Sequence, residues 1–414
     1  MSALASSKFS RLMDDFSPFE SSPTLLIATS GGPDSLALAL MTHQWATNQG
    51  GKAIAITVDH QLRKESTVEA HQVRDWLQER GIEHHILIWH KGEKNEVPQT
   101  AIQSAAREAR YQLLGQWCKD HNVKHLLTAH HAQDQLETFM IRLAKGSGLK
   151  GLTGIQGEVI TPFGRILRPL LTVDSQDLKD TLHAFGQPFI NDPSNENQDF
   201  TRIRWRKLLP ALAPEGLTPK TLQETLERLN HSQRLIDQHI STLLHRHMTL
   251  SPYGYAILKK EAQKESPEAF EEILKRSLAT IGTRNYPVRR HALHRAMNTL
   301  KSGKSMTLGG CQILDKAKNW WITREPAGIG ADILAKEPGI YLWDDRFTVE
   351  IKKNTPCRIA AMGENGIQQL GDEIRACFKN IPHVVLQTLP TLWQGEKLID
   401  PMPSFTFKSH VKVS

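Results

Sequence analysis

The run Ser30-Gly31-Gly32-Pro33-Asp34-Ser35 combines groups that suit an anion with one that repels it. Its glycines let backbone N–H groups approach a ligand closely, and Pro33 suits the first position of a helix. A helix N-terminus aims positive potential at an anion, and Ser30 and Ser35 add hydroxyl donors. Asp34 opposes a phosphate unless a divalent cation stands between them, and hard Mg2+ takes oxygens from both. The turn therefore reads as a nest for a Mg2+-bound phosphate chain. A helix cap explains one of these residues but not the set. A second group, His130, Asp134 and Glu137, falls at i, i+4 and i+7, the spacing of one helix face. Residue types alone leave open a solvated polar face or a metal-hydrolase cluster, although no His-Glu-x-x-His pattern supports the latter.

Positioning such groups needs strands and helices in alternation. Short apolar runs at 24–29, 53–58, 85–89 and 125–129 read as strands buried on both faces. Helical spacing fills 33–45, 65–80, 99–119 and 132–143. This predicts an α/β fold with a doubly wound parallel sheet, whose ligands bind beyond the carboxyl ends of the strands. Those ends are 30–35, 59–63, 89–91 and 130–137. The pattern fades after Leu171, and 191–216 is polar, then basic, then proline-rich, which reads as a linker. Leu222, Leu226, Leu229, Ile236, Ile240 and Leu243 predict a helix over 217–247 whose apolar stripe packs a core. Further helices are expected at 268–278 and 288–300, and short strands from 338 onward. The expected domains are 1–210 for catalysis, a small helical domain at 211–330 for substrate binding, and a small, mostly β domain at 331–414.

The chain has 414 residues and a net charge of +7, which favours a polyanionic partner. Arg202, Arg204, Arg206 and Lys207 enclose Trp205, and Arg289, Arg290 and Arg295 form a second basic cluster. Both are candidate RNA surfaces. Cys118, Cys311, Cys357 and Cys377 are widely spaced, so free thiols are expected. Lys8 and Arg11 are followed by Asp14, Asp15 and Glu20, not by an apolar stretch. No run approaches the roughly 20 apolar residues of a membrane span, and a cytoplasmic protein is expected. The SGKS at 302–305 is no phosphate loop, because Asn298 stands where that motif needs glycine.

The strand-end segments carry a family likeness. SGGPDS (30–35), VDHQLRKES (58–66), AAREARYQLL (105–114), TAHHAQDQLETFMIRLAKGSGLKGLTGI (128–155), RILRPLL (165–171) and NDPSNENQDFTRIRWR (191–206) occur in this order. Together they resemble the tRNA(Ile)-lysidine synthetase family of PP-loop ATP pyrophosphatases. Weaker likeness continues through MTLGGCQI, WWITREPA, WDDRF and TLPTLW. The resemblance implies a ligase that adenylates the wobble cytidine of the isoleucine tRNA with a CAU anticodon. Free L-lysine then displaces AMP at C2, giving lysidine, with ATP and Mg2+ consumed or required. Homodimerisation stays open.

The resemblance also implies roles. Asp34 is expected to be catalytic and to hold Mg2+, with Ser30, Gly31, Gly32, Pro33 and Ser35 around the pyrophosphate. Val58, Asp59 and His60 are expected near the adenosine, with a helix cap or turn residue as the other reading of Asp59. The lysine ε-amine has an ordinary pKa of about 10.4, so it needs a base or desolvation. Asp134 and Glu137 suit that need, and His130 could relay a proton. Arg110 is expected to steady ATP phosphates or RNA. Three positions depart from the family pattern: Gln133 replaces an aspartate, Ile203 an asparagine, and Asn197 an aspartate. The rival readings are a PP-loop tRNA 2-thiolase, which normally needs reactive cysteines, and a non-catalytic tRNA-binding protein on the same scaffold.

Overall fold

Strand β1, Thr24–Thr29, is largely buried, as its unbroken TLLIAT run requires. The computed structural model, which describes residues 3–61, 65–89, 102–191, 201–282, 288–352 and 356–408, puts β1 inside a six-stranded sheet. The other strands are β2 (Lys52–Asp59), β3 (Glu83–Ile88), β4 (His125–Leu127), β5 (Glu158–Thr161) and β6 (Gly164–Leu167), in the order β3-β2-β1-β4-β6-β5. Every pairing is parallel except the β5–β6 hairpin, which adds an antiparallel edge to the expected sheet. Arg63, Lys91 and Asn197 lie outside the described residues.

Among the described residues up to His247, nine helices follow in chain order: α1 (Ser6–Asp14), α2 (Pro33–Asn48), α3 (Ser66–Glu79), α4 (Ile102–Asp120), α5 (Ala132–Ala144), α6 (Leu149–Leu152), α7 (Ser175–Ala184), α8 (Thr201–Leu212) and α9 (Pro219–His247). Side chains alternate across each strand, so β1 feeds two cores. Leu25 and Ile27 join Leu36, Val73 and Leu178 of α2, α3 and α7 on one face. Leu26 joins Ile54, Ile56, Leu114 and Trp117 on the face covered by α4. The chain runs outward from β1 to β3, then returns to place β4 on the other side of β1. The crevice beyond β1 and β4 is therefore the topological switch point, where such sheets hold ligands.

The expected linker is corrected by α8. Its Ile203 and Leu209 are buried, and its basic residues are spaced so that two of them, Arg202 and Arg206, reach the one carboxylate of Glu137 on α5. The partner that makes this segment helical is remote in sequence, so local composition could not reveal it.

The chain divides into two compact units, Met1–Gln233 and Arg234–Ser414. In the first, Leu222 and Leu226 of α9 pack with Leu136 of α5 and Leu209 of α8. In the second, Ile240 and Leu243 of the same helix join another core. Between them Leu235 and Ile236 are 55% and 45% exposed, so the heptad run is two separate seams and not the single core stripe expected.

The second unit contains the two expected helices, Pro267–Gly282 and Arg290–Lys301. It also contains a five-stranded antiparallel sheet built from strands of three to six residues between Met248 and Arg324. Strands this short show little periodicity, so the sequence suggested only helices there. Trp320 is fully buried in this core. A four-stranded and a three-stranded sheet complete the unit around Trp343 and Phe347. Among the described residues, no helix is long and apolar enough to cross a membrane.

Candidate active site

The glycine turn leaves β1 and enters α2 with Gly32 as the N-cap and Pro33 in the first turn. Its two glycines have different reasons to be there. Gly31 has φ +79°, and a Cβ would stand 2.7 Å from Val73 Cγ2 and 2.8 Å from Ile190 Cδ1. Gly32 has φ −72°, and its Cβ would meet only Ser30 Oγ, at 3.5 Å. Thus the fold itself requires Gly31, whereas the space above Gly32 is open. Ser35 is buried and braces the turn: its hydroxyl accepts from Ser30 N at 3.1 Å and donates to the Gly32 carbonyl at 3.0 Å. Ser30 remains exposed.

Asp34 Oδ1 is buried and has no hydrogen-bond partner. Its Oδ2 lies 3.5 Å from His131 Nε2, and the same nitrogen lies 3.6 Å from Asp134 Oδ2. His131 thus sits between a carboxylate from the first turn of α2 and one from α5. Burial disfavours its charge, but Asp34, Asp134 and Glu137 outweigh burial and raise its pKa. The sequence reading passed over His131 in favour of His130. Helix α5 begins at Ala132, so His130 precedes the helix and the i, i+4 spacing does not set its direction. The backbone N–H of His131 donates to Asp134 Oδ2 at 3.1 Å, which fixes the start of α5. The adjacent histidine pair was the available signal, but the register of the helix start decided which ring turned toward Asp34.

The remaining cluster is strongly polarised. His130 pairs with Thr128 Oγ1 at 3.0 Å, and burial together with Arg168, Arg107 and Arg202 pulls its pKa down to about 4 against the pull of Asp134. Asp134 is held below the carboxylate range: burial raises it, but His131, Arg202 and His130 prevail. Glu137 is fully buried, and burial pushes its carboxyl up despite Arg206 Nε at 2.7 Å and Arg202 Nε at 3.1 Å. Arg202 and Arg206 therefore point at α5, while Arg204 bonds Thr201 and Lys207 is exposed. The four basic residues divide between two faces of α8.

Other expected residues separate. Asp59 is buried and accepts from Gln61 N, Ser66 Oγ and Thr67 Oγ1 at 2.9, 2.7 and 2.6 Å. Its carboxylate binds a local backbone N–H and two hydroxyls of α3, which fits the turn-residue alternative; the N-cap of α3 is Glu65, whose side chain makes no capping hydrogen bond. Arg110 donates to His60 Nε2 at 3.0 Å, and burial and Arg110 lower the His60 pKa to about 4. Val58 is half-buried at the same strand end. Arg289, Arg290 and Arg295 are exposed in the second unit, with Arg290 and His294 beside Glu271. Among the described residues, no group of three or more His, Cys, Asp or Glu side chains is arranged to hold a metal alone. The orphaned Asp34 Oδ1 beside an open glycine does fit a Mg2+ ion that takes its other oxygens from phosphate and water.

The PP-loop domain family matches residues 1–212. A tRNA(Ile)-lysidine synthase of Orientia tsutsugamushi is 34% identical, over 94% of this chain and 91% of that protein. The chain belongs to the tRNA(Ile)-lysidine synthase family. The lysidine synthase of Ruegeria pomeroyi is 31% identical, over 90% of this chain and 87% of its own length. That of a Bradyrhizobium strain is 37% identical over 65% and 77%. Within this lysidine synthase family member, two departures acquire a reason. Gln133 Nε2 donates to Asp174 Oδ2 at 3.0 Å, and its Oε1 accepts from Ser175 N at 3.2 Å. An aspartate there would face Asp174 with like charge. Ile203 is buried on α8, where an amide would need a partner. Burial also pushes the Cys118 thiol up to about 12, and Cys311, Cys357 and Cys377 belong to the second unit. Cys118 therefore packs as a core residue on the α4 face of the sheet, and the thiolase alternative has less support than the lysidine synthase reading.

Proposed function

We propose that this chain joins lysine to C2 of the wobble cytidine of CAU-anticodon isoleucine tRNA, with the β1–β4 crevice as its reaction centre. The observation that carries this reading is the meeting of Asp34, from the glycine turn, with Asp134 across His131. It brings a phosphate nest and an acidic, amine-binding helix face to one place.

In the first step the C2 oxygen attacks the α-phosphorus of ATP, and pyrophosphate leaves. Backbone N–H groups at Gly32 and the N-terminus of α2 receive the phosphates. Bound Mg2+ would neutralise phosphate charge there, and Asp34 is the residue that would hold it. In the second step the lysine ε-amine attacks C2 and AMP leaves. Two carboxylates with opposed environments divide the work. Asp134, held ionised, attracts the ammonium. Glu137, with its raised pKa, is the better acceptor for the proton that the amine must lose. His131 holds Asp34 and Asp134 in register. The second unit supplies tRNA affinity through Arg289, Arg290 and Arg295.

The test is incubation of the protein with ATP, Mg2+, lysine and transcribed isoleucine or methionine tRNA, followed by nucleoside mass analysis. Lysidine should form in the first RNA only. Absence of lysidine, or pyrophosphate release without it in both RNAs, refutes the assignment.

A further inference from the structure

Beside this centre lies a cavity of about 500 Å³ whose lining includes Arg107, Arg142, Arg168, Arg202 and His130 but no carboxylate. Two of its arginines are occupied. Arg142 donates to the carbonyls of Gly151 and Gly154, and Arg202 reaches back to Glu137. Arg168 is different. It is only 8% exposed, gives one hydrogen bond to the Gln156 carbonyl, and leaves its buried Nε without any partner. No ion pair involves it among the described residues. A buried cation without a counter-charge is costly, so its retention at a cavity wall points to an anion that arrives from outside. Arg107 is exposed at the same wall.

Arg107 also borders a second depression, of about 640 Å³, with Tyr111, Phe163 and Lys119 in its lining. Its guanidinium lies 5.3 Å from the Tyr111 ring centroid. One cationic residue thus joins an arginine-lined cavity, roomy enough for a phosphodiester with its sugar, to a groove with aromatic faces, a further cation and the one carboxylate of Glu108. Alternating cations and rings are how proteins hold unpaired nucleotides. The glycine turn is not part of either lining, so the triphosphate of ATP has its own nest.

We propose that the Arg168 cavity binds a backbone phosphodiester of the anticodon loop next to the reacting cytidine, and that the strand continues past Arg107 over Tyr111 and Phe163. This inference rests on the proposed function for the identity of the RNA. The low pKa of His130 agrees with an arginine field waiting for negative charge.

The experiment measures binding of a labelled CAU anticodon stem-loop by fluorescence anisotropy across a salt series. Three variants are compared with the parent: Arg168→Met, Arg107→Gln and Val159→Glu. Arg107 and Val159 are exposed, so the last two test the site even if Arg168→Met loses stability. Binding of ATP by calorimetry is measured in parallel. Each variant should bind the stem-loop about tenfold more weakly, the scale of one charge-assisted hydrogen bond. The slope of log affinity against log salt should shrink by about 0.7 for each lost phosphate contact in Arg168→Met and Arg107→Gln. ATP affinity should not change. Stem-loop affinity and slope unchanged in both exposed variants would overturn the proposal. A loss of ATP affinity with RNA binding intact would instead assign the cavity to the nucleotide. Failure of the lysidine assay with these RNA results intact would remove the proposed function but keep the RNA site.

Discussion

The two glycines of the turn should fail in opposite ways when each is replaced by alanine. Gly31→Ala forces a side chain to φ +79°, which costs roughly 1–2 kcal/mol. Its Cβ would also stand 2.7 and 2.8 Å from Val73 and Ile190, both packed into the main core. Overpacking of that kind costs about 1–3 kcal/mol. The expected loss is about 2–5 kcal/mol, which for a unit of this size lowers Tm by at least about 4 °C. Gly32→Ala meets no steric conflict, and its backbone is ordinary for alanine. It should leave the apoprotein as stable as the parent, or more stable by about 0.4–1 kcal/mol through the unfolded chain. Its methyl group instead fills the space that the phosphates need. Loss of one charge-assisted N–H contact should weaken ATP by about 10- to 100-fold. Calorimetric ATP titration and thermal unfolding of both variants make the comparison. If Gly32→Ala binds ATP like the parent, or if Gly31→Ala unfolds at the parent temperature, the division between fold and ligand at this turn is wrong.

Asp34→Asn should abolish pyrophosphate release while the apoprotein keeps its Tm, because Oδ1 makes no bond to lose; normal release in Mg2+ would contradict the metal-holding role. Arg206→Met removes the closest cation from a carboxyl that burial already pushes up, so the acid limb of the lysine-dependent step should move to higher pH. An unmoved limb would exclude Glu137 as the proton acceptor. Asp344 is buried between Arg324 Nη2 at 3.0 Å and Arg346 Nε at 2.6 Å, so Asp344→Asn should destabilise the second unit by about 3–5 kcal/mol in denaturant unfolding. Its folded pKa is depressed, since its partners outweigh burial. Its contribution is therefore full above the unfolded value and lost as pH falls through the folded one; stability of the second unit independent of acid would refute this. A chain ending at Gln233, which keeps Leu222 and Leu226 in their core, should bind ATP but bind tRNA weakly with a shallow salt slope. Replacing Arg289, Arg290 and Arg295 by glutamine in the full chain should reproduce part of that loss, and equal slopes in all three proteins would clear the second unit of tRNA contact.

Local chemistry made much of this protein legible. The strands at 24–29 and 125–127 and the helices after them follow from continuous apolar runs and 3.6-residue spacing, which report on burial at each position. The glycine turn could be read because φ > 0 and close backbone approach demand residue types that stand out in the sequence. Asp34 stood out by its charge inside an anion nest, and Asp134 and Glu137 by their spacing on one helix face. What the sequence could not decide were pairings between remote segments. Helix α8 looked like a linker because its Arg206 finds Glu137 69 residues away in sequence. His131 was overlooked because only the first residue of α5, together with the placement of β4 beside β1, turns its ring between Asp34 and Asp134. Asp59 offered a carboxylate at a strand end, yet three donors from the following turn claim it. Arg168 stood in the RILRPLL segment without a role of its own, since its meaning lies in the lack of an ion-pair partner among the described residues. Composition fixes which groups a chain owns, but whether a charge is neutralised, capped or left for a ligand depends on distances that only the folded sheet establishes.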